Sequence, residues 1–192
     1  LGGVYFPGDA HLYPNQLMSQ MKAVLQSKGV AFIGKTKVKD FSLRGNVISA
    51  LHAENGEAIS VEHVLLSSGS WSARLLKKAG VKIHLQDGKG YSITLENPTL
   101  RPKIPTILSE AKVAITPMGD DLRIGGTLEI SGLSPKLNMR RVEGILESVP
   151  KYYRNLTVPF SSATPIWKGY RPCTPDGLPY LGDSPQVKNL TI

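Results

Sequence analysis

Two patterns follow one another along this 192-residue chain, and together they predict an α/β segment joined to an α+β segment. The first is a continuous apolar run, Val64-Leu65-Leu66, that passes through Ser67-Ser68-Gly69 into a helix. That is the pattern of a parallel strand buried on both faces. The second begins after Lys89-Gly90, where short alternating strands, separated by turns, are accompanied by one amphipathic helix. Strands with a covering helix make a mainly antiparallel α+β domain. Composition agrees with both: 41% hydrophobic and 20% charged residues suit a globular protein with a real core. No apolar run approaches the ~18 residues that mark a membrane helix.

Taken in order, residues 1–14 are rich in Gly and Pro and read as a loop. From about Asn15 to Lys28, Leu17, Met18, Met21, Val24 and Leu25 recur at helical spacing, and Gly29 supplies the stop. Their stripe is expected to face the core. Residues 30–62 read as a β meander with strands at 30–33, 36–41, 47–53 and 59–61 and turns at Leu43-Arg44-Gly45-Asn46 and Asn55-Gly56. In the helix after the apolar run, Ser70 is the expected N-cap, Leu75, Leu76 and Ala79 point inward, and Gly80 ends it. Further strands are expected at 91–95, 106–108, 112–116 and 122–127, the last two joined at Gly119-Asp120-Asp121. A helix over Asn138 to Val149 puts Met139, Val142, Ile145, Leu146 and Val149 inside, with Pro150 ending it. A strand at 162–170, a turn at Pro175-Asp176-Gly177 and a last strand from Asn189 complete the pattern.

Several function classes fall away at this stage. The one cysteine, Cys173, cannot form an internal disulfide, and without a nearby His it is given no chemistry. The four histidines are scattered, none at metal-ligand spacing, so no metal site is expected. The net charge of +8 is spread along the chain without basic-aromatic interleaving, so nucleic-acid binding is not expected. Leu1-Gly2-Gly3-Val4 is no signal peptide, and neither end reads as a natural terminus. The chain is therefore expected to be an internal piece of a longer protein.

The stretch from Trp167 to Gly182, WKGYRPCTPDGLPYLG, carries the most information. It resembles the W-x-G-x-R-P-x-T-P-D-G-x-P-x-[IVL]-G signature of flavin oxidoreductases related to D-amino-acid oxidase. Three further segments resemble the same family in the same order: Gly3-Val4-Tyr5-Phe6-Pro7 to Pro14, the Ser67-Ser68-Gly69-Ser70-Trp71-Ser72 stretch, and Lys89-Gly90-Tyr91-Ser92 with Ala114-Ile115-Thr116-Pro117 and Arg123-Ile124-Gly125-Gly126-Thr127. The last set is most similar to the bacterial D-amino-acid dehydrogenase branch. The sequence departs from the family in having no strand–G-x-G-x-x-G–helix for the dinucleotide pyrophosphate and in stopping before a Gly-His-Gly-type turn. Where glycine-oxidase relatives carry substrate tyrosines, this chain has Val113 or Ala114.

The resemblance implies a division of labour. Residues 1–88 and 167–192 would be parts of an incomplete FAD-binding domain, and residues 89–166 a substrate domain. The site of the intact enzyme would lie where the two meet. Arg171, with Tyr170 beside it, would clamp a substrate carboxylate through its two-point guanidinium fork. From spacing alone, the favoured reading is an Arg that ties its loop to a nearby Asp, such as Asp176. Arg123 would be a second polar contact, or else a sheet-surface charge. Val38, Ser68, Gly69, Trp71 and Gly182 would contact the cofactor. For Gly69 the other reading is a tight strand-to-helix turn, and for Val38 an ordinary edge strand.

The implied reaction is oxidation of an amino acid, a D-amino acid on the nearest branch, by hydride transfer from Cα to FAD, giving an imino acid and then a 2-oxo acid and ammonia. The alternatives on the same scaffold are a sarcosine-, glycine- or hydroxyproline-type amine oxidase, or a binding module that has lost the cofactor. The chain by itself is expected to be inactive, not to retain FAD, and to associate through exposed strand edges. The expected partner is a small amino-acid substrate. A cytoplasmic protein is expected, and a quinone acceptor would hold it peripherally at the inner face of the membrane.

Overall fold

The computed structural model describes residues 2–161 and 164–192. In chain order its elements are α1 (Pro14–Ser27), β1 (Val38–Arg44), β2 (Val47–Ala53), β3 (Ala58–Ser60), β4 (Val64–Leu65), α2 (Ser72–Lys78), β5 (Gln86–Leu95), β6 (Thr106–Leu108), β7 (Val113–Met118), β8 (Asp121–Ile130), α3 (Met139–Tyr152), β9 (Ile166–Cys173) and β10 (Leu190–Thr191). The architecture is mixed α/β and α+β with mainly antiparallel sheets. Contacts divide the chain into two compact units. The first holds the described residues of 1–31, 89–129 and 134–169; the second holds 32–88, 130–133 and 170–192.

α1 begins on Pro14, whose fixed φ suits the first helical position and whose missing N–H is not needed there. Gly29, at φ 86°, ends it. Its apolar stripe is not core as expected: Leu17, Met18, Met21 and Val24 are 42–63% exposed. Periodicity makes an apolar face, but something else must cover it. Residues 30–33 form no strand, because β-type composition cannot by itself supply a partner.

In the second unit, β1, β2 and β3 form the antiparallel meander, with the two-residue turn Gly45-Asn46 and φ 61° at Gly45. β4 pairs parallel with β10. Only one face of that pair is buried: Val64, Leu66 and Leu190 join Phe41, Ile48, Leu76 and Val187 in one core, while Leu65 is 66% exposed. The expectation of burial on both faces therefore fails on the Leu65 side, which no described residue covers. One polar side chain ties this unit together. The Asn189 amide oxygen accepts from Ile48 N–H at 2.8 Å, and its amide nitrogen donates to the carbonyls of Ile48 (2.8 Å) and Glu62 (2.9 Å).

The first unit is built on a five-stranded sheet in the order β6-β7-β8-β5-β9. Tyr91, Ile93, Ile115, Leu122 and Ile124 pack with Val142, Ile145, Leu146 and Val149 of α3. Met139 stays 38% exposed instead of joining them. Pro150 lies inside α3, which runs on to Tyr152. So late in a helix, one lost N–H bends or ends nothing, and Tyr153 N–H still reaches Val149 O at 3.0 Å. β9 starts at Ile166; Ser162 and Ala163, where the strand was expected to begin, lie outside the described residues.

Two features hold this sheet tightly. A Cβ at Gly125 would sit 3.0 Å from Ser92 Cβ, and one at Gly126 would sit 2.6 Å from the Lys112 carbonyl, so both positions need glycine for the strands to close up. Lys89, 1% exposed, donates to the carbonyls of Ser134 (3.2 Å) and Lys136 (2.7 Å) and pairs with Glu129 at 3.4 Å. Glu129 also accepts from Tyr91 Oη at 2.6 Å. Burial pushes the Lys89 ammonium toward the neutral form, but Tyr91 and Glu129 outweigh it and hold the pKa above the ordinary lysine value.

Candidate functional site

The local geometry in the second unit gathers residues at the carboxyl ends of two parallel strands, the end at which open α/β sheets place ligands. β4 leads through Ser67 and Ser68 into a 3₁₀ turn, Gly69–Trp71, and then α2. Gly69 makes the turn at φ 55°. At the end of β10, Gly182 pairs with Ile192, N–H to carbonyl at 3.1 and 2.9 Å in the two directions. A Cβ on either glycine would meet no atom within 4 Å. Open space in front of two glycine backbones leaves room for a ligand to approach the main chain closely.

Ser70 is not the N-cap expected from the sequence. The cap position of α2 is Trp71, with no side-chain cap bond. Instead Ser68 and Ser72 bond to each other, Oγ to Oγ, at 3.0 Å. Trp71 meets Tyr170 edge to face, with ring centroids 5.9 Å apart. The structure thus brings a residue read as a cofactor contact against one read as a substrate contact. Val38 lies elsewhere, on β1 opposite Ala53, with its side chain packed on the core.

Arg171 lies on β9 and is exposed. Asp176 does not hold it: no ion pair joins the two, and the Asp176 carboxylate accepts from Leu178 N–H at 3.1 Å within the Pro175-Asp176-Gly177 turn. Thr174 Oγ1 closes the same turn by donating to Leu178 O at 2.8 Å. Of the two readings from spacing, the tie to Asp176 is not formed.

The first unit contributes a separate cluster. Arg123, on β8, places its guanidinium over the Trp167 ring, 5.0 Å from the centroid. The outer rim of the ring abuts Gly169, where a Cβ would be 2.8 and 2.9 Å from Cζ3 and Cζ2. Arg123 is therefore neither a bare surface charge nor a residue whose ligand role is visible; it is a cation held on an aromatic face. Sequence reasoning quoted Trp167 only as part of a signature. The W-x-G spacing was the available signal, because residues two apart share a strand face.

The chain matches the family described as FAD dependent oxidoreductase (DAO) over residues 1–192. It is 33% identical to a D-amino acid dehydrogenase of Vibrio vulnificus over 98% of its own length and 45% of the relative's. It is 31% identical to one of Helicobacter pylori over 98% and 45%. It thus spans about half the length of these relatives. Among solved structures it resembles glycine oxidase from Geobacillus kaustophilus (TM-score 0.77, 24% identity, 91% of this chain and 46% of that one) and iminodiacetate oxidase from Chelativorans sp. BNC1 (TM-score 0.79, 21%, 93% and 48%). At Gly69 and Gly182 nothing on the protein side obstructs a ligand such as the family's cofactor FAD from approaching the backbone. By sequence and by fold, this chain belongs to the FAD-dependent oxidoreductases of the DAO family.

Proposed function

We propose that this chain is part of an enzyme that oxidises a D-amino acid with FAD, with Arg171 as the carboxylate clamp. The observation that carries the reading is an exposed guanidinium on β9 that is not paired with Asp176, its nearest candidate partner in sequence. Pro172 restricts Arg171 to extended backbone, which fixes the side of the strand from which its side chain leaves. The planar fork can take both carboxylate oxygens in parallel hydrogen bonds and so orient the substrate Cα. Tyr170, held against Trp71, supports the next position of the same strand. Arg123 is a second polar contact, kept in place by Trp167. Gly69, Gly182, Ser68, Trp71 and the Val38 backbone serve the cofactor. When bound, FAD accepts the hydride from Cα, and the imino acid hydrolyses to a 2-oxo acid and ammonia.

Residues 1–88 and 167–192 serve the cofactor in this reading, and residues 89–166 the substrate. A quinone acceptor at the inner face of the membrane belongs to this reading, and it would make the protein peripheral and cytoplasmic. Among the described residues, no helix is long and apolar enough to cross a membrane.

The test is product formation by the full-length protein with D-alanine, D-hydroxyproline and sarcosine. Pyruvate and ammonia from D-alanine as the fastest reaction support the reading. Preference for sarcosine would move the protein to the amine oxidases, and turnover of none of the three would favour a binding module.

A further inference from the structure

The connection between β5 and β6 is fastened along its length. Asn97 N–H donates to the Asp121 carboxylate at 3.4 Å. The Arg101 guanidinium donates to the Gly119 carbonyl and pairs with Asp120 at 3.2 Å. At the start of β6, the Thr106 and Tyr153 hydroxyls bond to each other at 2.5 Å. Pro98, Pro102 and Pro105 fix φ at three further positions. Yet the same stretch leaves large apolar side chains uncovered: Leu100 is 41% exposed, Ile104 53% and, on the edge strand β6, Ile107 75%. Side chains on a stiff, fastened segment lose little freedom when they meet a partner, which favours docking.

The charges between them indicate which partner. From Asn97 to Leu108 the sequence has two cations, Arg101 and Lys103, and no carboxylate. Asp120 offsets Arg101, whereas Lys103 is exposed and makes no ion pair among the described residues. Lys103 also lines, with Thr99, Arg101 and Asp120, an open cavity of about 640 Å³. Apolar side chains interleaved with a cation suit an anionic lipid surface, where the apolar groups enter the headgroup layer and the ammonium stays at the phosphates. A second copy of this chain would also cover apolar surface, but two chains of net charge +8 repel each other. We propose that residues 99–107 dock the protein on an anionic lipid bilayer, with Leu100, Ile104 and Ile107 in the interface and Lys103 on a headgroup phosphate. This gives the peripheral-membrane reading above a contact surface, and it rests on that reading.

The experiment sediments the full-length protein with vesicles of phosphatidylcholine, alone or with one-third phosphatidylglycerol. The parent should bind the anionic vesicles and be released by salt. Lys103→Glu, and the combined Leu100→Ser, Ile104→Ser and Ile107→Thr variant, should each bind them about tenfold more weakly. Both should keep the parent's Tm without vesicles and its rate of D-amino acid oxidation with a soluble electron acceptor. Variants that bind within twofold of the parent would overturn the inference alone and place the membrane contact elsewhere. A lowered Tm in the apolar variant would overturn it too, by showing that the rest of the protein covers these residues. So would a parent oligomer that the apolar variant dissociates, which would make a second copy the occupant. A parent that binds neither kind of vesicle would overturn both the inference and the peripheral reading.

Discussion

The outer rim of the Trp167 indole abuts Gly169, two residues further along β9, and the ring face carries the Arg123 guanidinium 5.0 Å from its centroid. The two residues of the W-x-G pattern are thereby coupled: the missing Cβ of the glycine makes room for the rim of the ring. Gly169→Ala would place a methyl against the outer rim of the ring, too close for the ring to stay where it is. Overpacking of this kind costs about 1–3 kcal/mol. A lower urea midpoint and a red-shifted tryptophan emission are expected, with Arg123→Ala giving a smaller loss of about 0.5–1 kcal/mol. An unshifted spectrum in Gly169→Ala would contradict the stacking.

Asn189 makes a different kind of link. One buried amide satisfies both backbone groups of Ile48 and the Glu62 carbonyl. Asn189→Leu keeps the volume and leaves all three unpaired, for an expected loss of about 3 kcal/mol by denaturant unfolding of the full-length protein. Asn189→Asp keeps the acceptor for Ile48 N–H but sets a carboxylate against two carbonyls, and should be at least as damaging.

Lys89 gives a pH signature. Its folded-state pKa is raised above its ordinary value of 10.5, so the stabilisation it provides is fully present below that pH and is lost as pH rises through the folded value. The full-length protein should therefore lose stability at strongly alkaline pH, above about 10.5. Lys89→Met, which leaves Glu129 and the carbonyls of Ser134 and Lys136 short of a donor, should be less stable by about 3 kcal/mol at neutral pH. It should also flatten the alkaline limb. Parallel alkaline limbs in the two proteins would assign the titration elsewhere.

The 192-residue chain by itself should not retain flavin, because its sequence contains no G-x-G-x-x-G for the pyrophosphate. It should also associate, since Leu65 and the α1 stripe present uncovered apolar surface. Visible absorbance after purification, and light scattering, check the two statements. A stoichiometric yellow monomer would contradict both.

Much of this was legible in the sequence, for identifiable reasons. β7, β8 and α3 announced themselves because alternation and helical spacing report a face that the same unit then buries, as at Ile115, Leu122 and Val142. The parallel pairing of Val64-Leu65 was legible from an unalternating run feeding a helix. What failed was whatever depended on a partner. The α1 stripe and Leu65 are apolar without being covered, and residues 30–33 are β-prone without a neighbour. The proposed roles of Gly69, Trp71, Tyr170 and Gly182 rest on the resemblance to the family, whereas Ser70, expected as the cap, is a buried turn serine, because the two look identical in one dimension. Lys89 and Asn189 carried no local signal, since Glu129 and Ser134, which hold the first, and Ile48, which holds the second, are distant in sequence.

The most direct test of the account is the rate at which a D-amino acid bleaches the flavin of the full-length protein under anaerobic conditions, in the parent and in Arg171 variants. A charge-assisted hydrogen bond is worth about 1.5–3 kcal/mol, and the bidentate pair proposed here contains two. Arg171→Ala should therefore slow reduction at low substrate by roughly 100-fold or more, with Arg171→Lys in between and flavin content unchanged. An Ala variant reduced within about threefold of the parent rate, a difference under 1 kcal/mol, or one that sheds its flavin, would contradict the assignment of Arg171 to the substrate carboxylate.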